Sequence, residues 1–161
     1  MSKRISLYDS NIVAEIPEDF TCMSREEAEE FFKLEMPEQV YSNRNKSAFI
    51  TLNRNGQELT SEGIEKRLNE YYTIHTRVVP NFKNASLAKR SLENGVEIGA
   101  LQYTSTSATK DLYNTCLLIP VDGKEVVITM HCELEQAMTQ GKEFLDVLAS
   151  IEWEENNEKQ S

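Results

Sequence analysis

The chain has 161 residues, 39% of them hydrophobic and 27% charged, and a net charge of −10. That length suits one domain able to bury a core without staples. The acidity, with basic residues scattered along the chain, excludes a phosphate backbone or an anionic membrane as the main partner, so no nucleic-acid or membrane binding is expected. No apolar stretch follows the basic residues of "MSKRISLYDS", and no run approaches the roughly 18 apolar residues of a span, so a cytoplasmic protein is expected. Cys22, Cys116 and Cys132 are an odd set without CxxC spacing, which predicts reduced thiols rather than a disulfide framework.

In chain order, "RISLYD" and "IVAEIP" read as strands joined by a turn at Asp9, Ser10 and Asn11, with Pro17 ending the second. Ser24 followed by Glu27 is a capping box and opens a first helix over roughly residues 25 to 33. "KSAFITLN" is a strand that runs into Asn55-Gly56. Helix two follows, with Thr60 as its cap and Leu59 and Ile64 as a hydrophobic staple. Its apolar stripe is Ile64, Leu68, Tyr71 and Ile74 or His75, with Glu65, Lys66, Arg67 and Glu70 turned to water, and Pro80 stops it.

From about Ala85 to Cys132 the pattern changes to a meander of four antiparallel strands, because Asn94-Gly95 and Asp122-Gly123 are strong hairpin signals between strand-like runs. A last helix carries Leu134, Ala137, Met138, Gly141, Phe144, Leu145 and Leu148 at spacings of three and four and ends near Ser150. The tail at residues 154–161, "EENNEKQS", is expected to be disordered, leaving residues 1–153 as one α+β domain.

Taken together, "IPEDFTCMSREEAEEFF", "MPEQVYSN", the meander with "VDGKEVVITMHC" and a closing helix ending in "LASIEW" resemble the PsbP-like family. The resemblance spans about Ser6 to Trp153. It implies an α/β/α sandwich on a central antiparallel sheet with about three flanking helices. The family ranges from a photosystem accessory protein to a Ran-binding relative, DcrB-like bacterial proteins and adaptors of secreted toxins, so the resemblance implies docking onto a protein rather than a shared active site.

Three residues carry the one catalytic alternative. A two-residue turn at Asp122-Gly123 pairs Val121 with Lys124, hence Leu117 with Ile128, Cys116 with Thr129 and Asn114 with His131. Cys116, His131 and Asn114 then share a face as thiol, base and orienting amide, the inventory of a Cys-His hydrolase or transferase. The packing alternative puts Leu117, Ile119, Val126, Ile128, Met130 and Cys132 in one layer. Cys116, Leu118, Val127 and Thr129 then fall in the other, where nothing activates the thiol. The His-x-Glu step at His131 and Glu133 resembles a deaminase zinc motif, but no later P-C-x-x-C completes it, so neither metal nor cofactor is expected.

His75 in the last turn of helix two suits the negative end of the helix dipole. Tyr71 and Tyr72 are adjacent and cannot both face one core, which points to helix two as a docking surface. The expected function is therefore a non-enzymatic protein-binding or adaptor module. A small apolar-ligand domain, with a pocket between sheet and helix, is a further alternative.

Overall fold

The computed structural model describes residues 2–7, 12–32, 37–91, 95, 97–106 and 110–153. Strands β1 (Ser2–Leu7) and β2 (Ile12–Pro17) pair antiparallel from Ser2 opposite Pro17 to Leu7 opposite Ile12. The turn expected at Asp9, Ser10 and Asn11 lies outside the described residues, as do Asn94 and the tail from residue 154.

After the two-residue β3 (Thr21–Cys22), α1 (Arg25–Glu29) opens with the expected capping box. The Glu27 amide donates to Ser24 Oγ at 3.2 Å, and the Ser24 amide donates to Glu27 Oε1 at 3.4 Å. The helix stops at Glu29 rather than near residue 33. Ala28 is its sole buried residue, too little apolar face to prolong it, and the next amides tighten onto carbonyls three back, Glu30 onto Glu27 and Phe31 onto Ala28.

β4 (Gln39–Ser42) pairs with β5 (Ala48–Glu58). β5 runs straight through Asn55-Gly56, with Gly56 at φ 76° inside a bulge between Arg54 and Glu58. Its partner is a distant strand rather than the next segment, so this Asn-Gly kinks the strand instead of turning a hairpin.

A 3₁₀ turn, Ser61–Gly63, then leads into α2 (Ile64–Val78). Thr60 has the extended backbone of a cap, but its carbonyl, not its hydroxyl, engages the helix by accepting from the Gly63 amide. Leu59 and Ile64 are buried in one cluster, as a staple requires. The α2 stripe takes His75, which packs on Tyr103, and leaves Ile74 exposed, while Arg67, expected in water, turns inward.

The meander is β6 (Lys83–Ser91), β7 (Glu97–Thr106), β8 (Asp111–Val121) and β9 (Lys124–Glu133). Asp122 at φ 51° and Gly123 at φ 79° both take the left-handed conformation that a type I′ hairpin needs. A second 3₁₀ turn, Leu134–Gln136, precedes α3 (Ala137–Ser150) and the short β10 (Glu152–Trp153). That turn leaves Leu134 ahead of the helix, and within α3 the helical period puts Met138 and Leu145 on the flank away from Phe144 and Val147. Phe144, Val147 and Leu148 face inward, whereas Leu134, Met138 and Leu145 are exposed, contrary to the expected stripe.

The strands form a seven-stranded antiparallel sheet, ordered β3-β4-β5-β9-β8-β7-β6, and a three-stranded one, ordered β1-β2-β10. One core lies between the large sheet and the layer of α3 with β2, joining Ala14, Ile16 and Phe20 to Leu117, Ile128, Phe144 and Val147. A second lies under α2, and a third, built on Phe49, lies under α1. Phe49 sits opposite His131, in phase with Val127 under α2, so α1 and α2 cover the same face. The result is an α+β sandwich of the α/β/α type.

Candidate functional site

The β8–β9 hairpin has the expected register, Val121 opposite Lys124, Leu117 opposite Ile128, Cys116 opposite Thr129 and Asn114 opposite His131. Its two faces divide as the period requires. Leu117, Ile119, Val126, Ile128, Met130 and Cys132 enter the core beneath α3, and Cys116, Leu118 and Val127 the core beneath α2.

Asn114, Cys116 and His131 share a face, but each is committed elsewhere. The Asn114 amide donates to Ser105 Oγ at 2.9 Å and to the Tyr103 carbonyl at 3.4 Å. The half-buried His131 ring stacks on Phe49 with centroids 5.1 Å apart and meets the edge of Phe32 at 6.0 Å. Burial between those rings pushes its pKa down to about 4, and burial pushes the Cys116 thiol up to about 12. A protonated thiol and a weakly basic imidazole are poorly matched to nucleophilic catalysis at neutral pH.

Cys132 lies on the opposite face, its thiol pushed up to about 11 by burial. His75 also departs from the dipole reading. Its Nδ1–H donates to the Tyr71 carbonyl at 2.7 Å, its ring packs against Phe82 and Tyr103, and burial lowers its pKa, favouring the neutral form. Among the described residues, no group of three or more His, Cys, Asp or Glu side chains could hold a metal ion.

The most highly organised polar cluster is one that sequence reasoning missed. Glu125 is wholly buried, 0% exposed, at the start of β9. Arg67 grips it bidentately, Nε donating to Oε2 at 2.8 Å and Nη2 to Oε1 at 2.9 Å. The Tyr71 hydroxyl donates to Oε1 at 2.8 Å, and the Asn55 side-chain amide donates to the same oxygen. Arg67 also donates to Glu70 at 2.7 Å and lies over the Tyr71 ring, 5.0 Å from its centroid.

Burial alone would raise the Glu125 carboxyl, yet the bonds from Arg67, Asn55 and Tyr71 outweigh it and hold the pKa below the usual value. Every charge here is satisfied internally, so the cluster works as a clamp fastening α2 to β9 and to the bulge of β5. One signal for it was present: Glu125 alternates in phase with Val127, which makes it an acid pointing inward.

With the Tyr71 hydroxyl used in the clamp, the exposed apolar side chains of α2 are Tyr72 at 39%, Ile74 at 53% and Val78 at 68%. Tyr72 leans on Phe82, their centroids 5.6 Å apart. Between the sheet and α3 lies a cavity of about 10 Å³ lined by Ala100, Tyr113, Thr115, Met130 and Phe144. That is room for one water. No helix among the described residues is long and apolar enough to cross a membrane.

No protein-family model matches the chain, and no curated protein matches its sequence. Solved structures do resemble it. The cyanobacterial PsbP protein CyanoP of Synechocystis superposes with a TM-score of 0.63 at 12% identity, covering 95% of this chain and 92% of that one. A Pseudomonas aeruginosa protein of unknown function gives 0.57 at 10% identity, covering 96% and 99%. LpqN of Mycobacterium tuberculosis, involved in cell envelope biogenesis, gives 0.57 at 13% identity, covering 94% and 89%. The chain thus has the PsbP-like fold that its motifs resemble, shared across nearly the full length of each of these proteins.

Proposed function

We propose that this protein is a non-enzymatic docking module that holds another protein against the outer surface of α2. The observation that carries the reading is rigidity joined to exposure. The buried Arg67–Glu125 pair fixes the helix to the sheet, while Ile74 and Val78 stand in solvent one turn apart on it and Tyr72 on its other flank. A pre-positioned helix bearing aromatic and branched side chains loses little entropy on binding, which is how a modest surface sustains a specific contact. The committed state of Cys116, His131 and Asn114 supports the same reading by leaving the hairpin a structural role.

A photocrosslinking residue placed at Ile74, with a second at exposed Glu62 as comparison, tests the proposal in cells of the native host. The expected outcome is a discrete crosslinked protein from position 74 that is absent from position 62 and lost when Val78→Glu is added. Equal, diffuse crosslinking from both positions would refute docking on α2.

A further inference from the structure

The fold gathers at one place what the sequence spreads out. Between residues 71 and 91 the chain carries Arg77, Lys83, Lys89 and Arg90 and no aspartate or glutamate, in a protein with 27 acidic residues against 17 basic ones. That segment is the second half of α2 and the whole of β6, and β6 is the terminal strand of the seven-stranded sheet. An acidic molecule therefore presents a basic edge.

The edge is also unpaired along a regular stretch. β6 holds register with β7 from Ser86 opposite Gln102 to Ser91 opposite Glu97, after an irregularity between Lys83 and Ser86. In an antiparallel pair alternate residues direct their amides and carbonyls away from the partner, so this stretch offers a ladder of donors and acceptors on its outer side. Among the described residues no strand takes it up. The opposite edge of the same sheet, β3, is two residues long and offers no comparable ladder.

Basic side chains flank the ladder on both faces. Lys89 lies opposite Gly99, on the α2 side, with exposed Leu87 in the same row. Arg90 lies on the α3 side, bordering the cavity with Tyr113 and Leu145. Lys89 pairs with Glu97 at 3.2 Å, while among the described residues Arg77, Lys83 and Arg90 form no ion pair.

We infer that β6 accepts, as an eighth strand, an extended segment of the partner protein rich in aspartate and glutamate. This rests on the docking reading above and names the partner's chemistry: main-chain bonds along Ser86–Ser91 supply affinity, and Lys89 and Arg90 select for acidic side chains on either face. A second copy of this chain is the wrong occupant, because pairing β6 with β6 would bring the Lys89 and Arg90 of two copies close together with no acidic side chain on either strand to offset them.

The probe is an array of randomised ten-residue peptides offered to the labelled protein, followed by hydrogen exchange of the protein with the best binder. The expected result is enrichment of aspartate and glutamate among binders, protection of amides in residues 86–91 on binding, and about tenfold weaker binding in Lys89→Glu/Arg90→Glu. Binders without acidic enrichment, or binding that leaves residues 86–91 unprotected while perturbing only Tyr72–Val78, would overturn strand addition and leave docking on α2 standing. An array without binders would overturn the β6 inference alone, since the crosslinking at Ile74 reads the docking separately.

Discussion

The clamp at Glu125 makes a quantitative claim that a double-mutant cycle can test. Arg67→Met keeps the length of the side chain and removes both guanidinium bonds to a carboxylate that water does not reach. Oε1 retains Tyr71 and Asn55, whereas the bond from Arg67 Nε at 2.8 Å is what serves Oε2. Two bonds to a charged group contribute about 1.5–3 kcal/mol each, and breaking a buried pair from one side costs about 3–5 kcal/mol. The lower half of that range applies, since Tyr71 and Asn55 still solvate the charge. We expect a loss of roughly 3 kcal/mol at pH 7, read from the urea midpoint.

Arg67→Met/Glu125→Leu removes the stranded charge and should lose only about 1–2 kcal/mol, for the unmet Tyr71 and Asn55 donors. The pH dependence gives a second reading with a defined sign. In the native protein the Glu125 carboxyl lies below its ordinary value, so its contribution is complete above the unfolded carboxylate pKa and is lost as pH falls through the folded one. Without Arg67, burial dominates and raises that pKa, so the penalty is relieved by protonation as pH falls. The gap between native and Arg67→Met should therefore narrow from pH 7 to pH 5. Additive single-mutant losses, or an Arg67→Met cost under about 1 kcal/mol, would show that the clamp does not hold α2.

Much of this fold is legible wherever the determinant is local. Asp122-Gly123 dictates a type I′ turn, the turn dictates the β8–β9 register, and the register sorts Cys116 from Leu117 to opposite cores. Ser24 and Glu27 place the start of α1 for the same reason. What escapes are choices made by distant partners. Asn55-Gly56 carries a hairpin signature, yet β5 pairs with β9, some seventy residues on by way of Asn55 and Glu125, and the signature becomes a bulge. Arg67 sits on the flank of an amphipathic stripe where either water or an inward acid could claim it, and only the arrival of β9 decides. The roll of α3 likewise depends on β2, where the Glu15 amide donates to Ser150 Oγ at 2.8 Å, and not on the apolar spacing that favoured Met138.

Three further outcomes follow from particular contacts. Gly123→Val should cost about 1–2 kcal/mol in urea unfolding, from strain at φ 79° alone, because an added Cβ meets nothing within 4 Å. Gly99→Ala should cost about 1–3 kcal/mol for the opposite reason: its backbone is unstrained, but the new Cβ would stand 2.8 Å from Ile64 Cγ2 and 3.0 Å from Leu68 Cγ, forcing α2 off the sheet, and a loss below about 0.5 kcal/mol would show the helix free to shift. Thiol reagent should label exposed Cys22 at once and Cys116 and Cys132 only on unfolding, since the two buried thiols, pushed up to about 12 and about 11, supply almost no thiolate. The same experiment judges the hairpin: rapid labelling of folded Cys116 that collapses in His131→Ala would require the imidazole to act as its base, which an imidazole held near pKa 4 between Phe49 and Phe32 does poorly at pH 7.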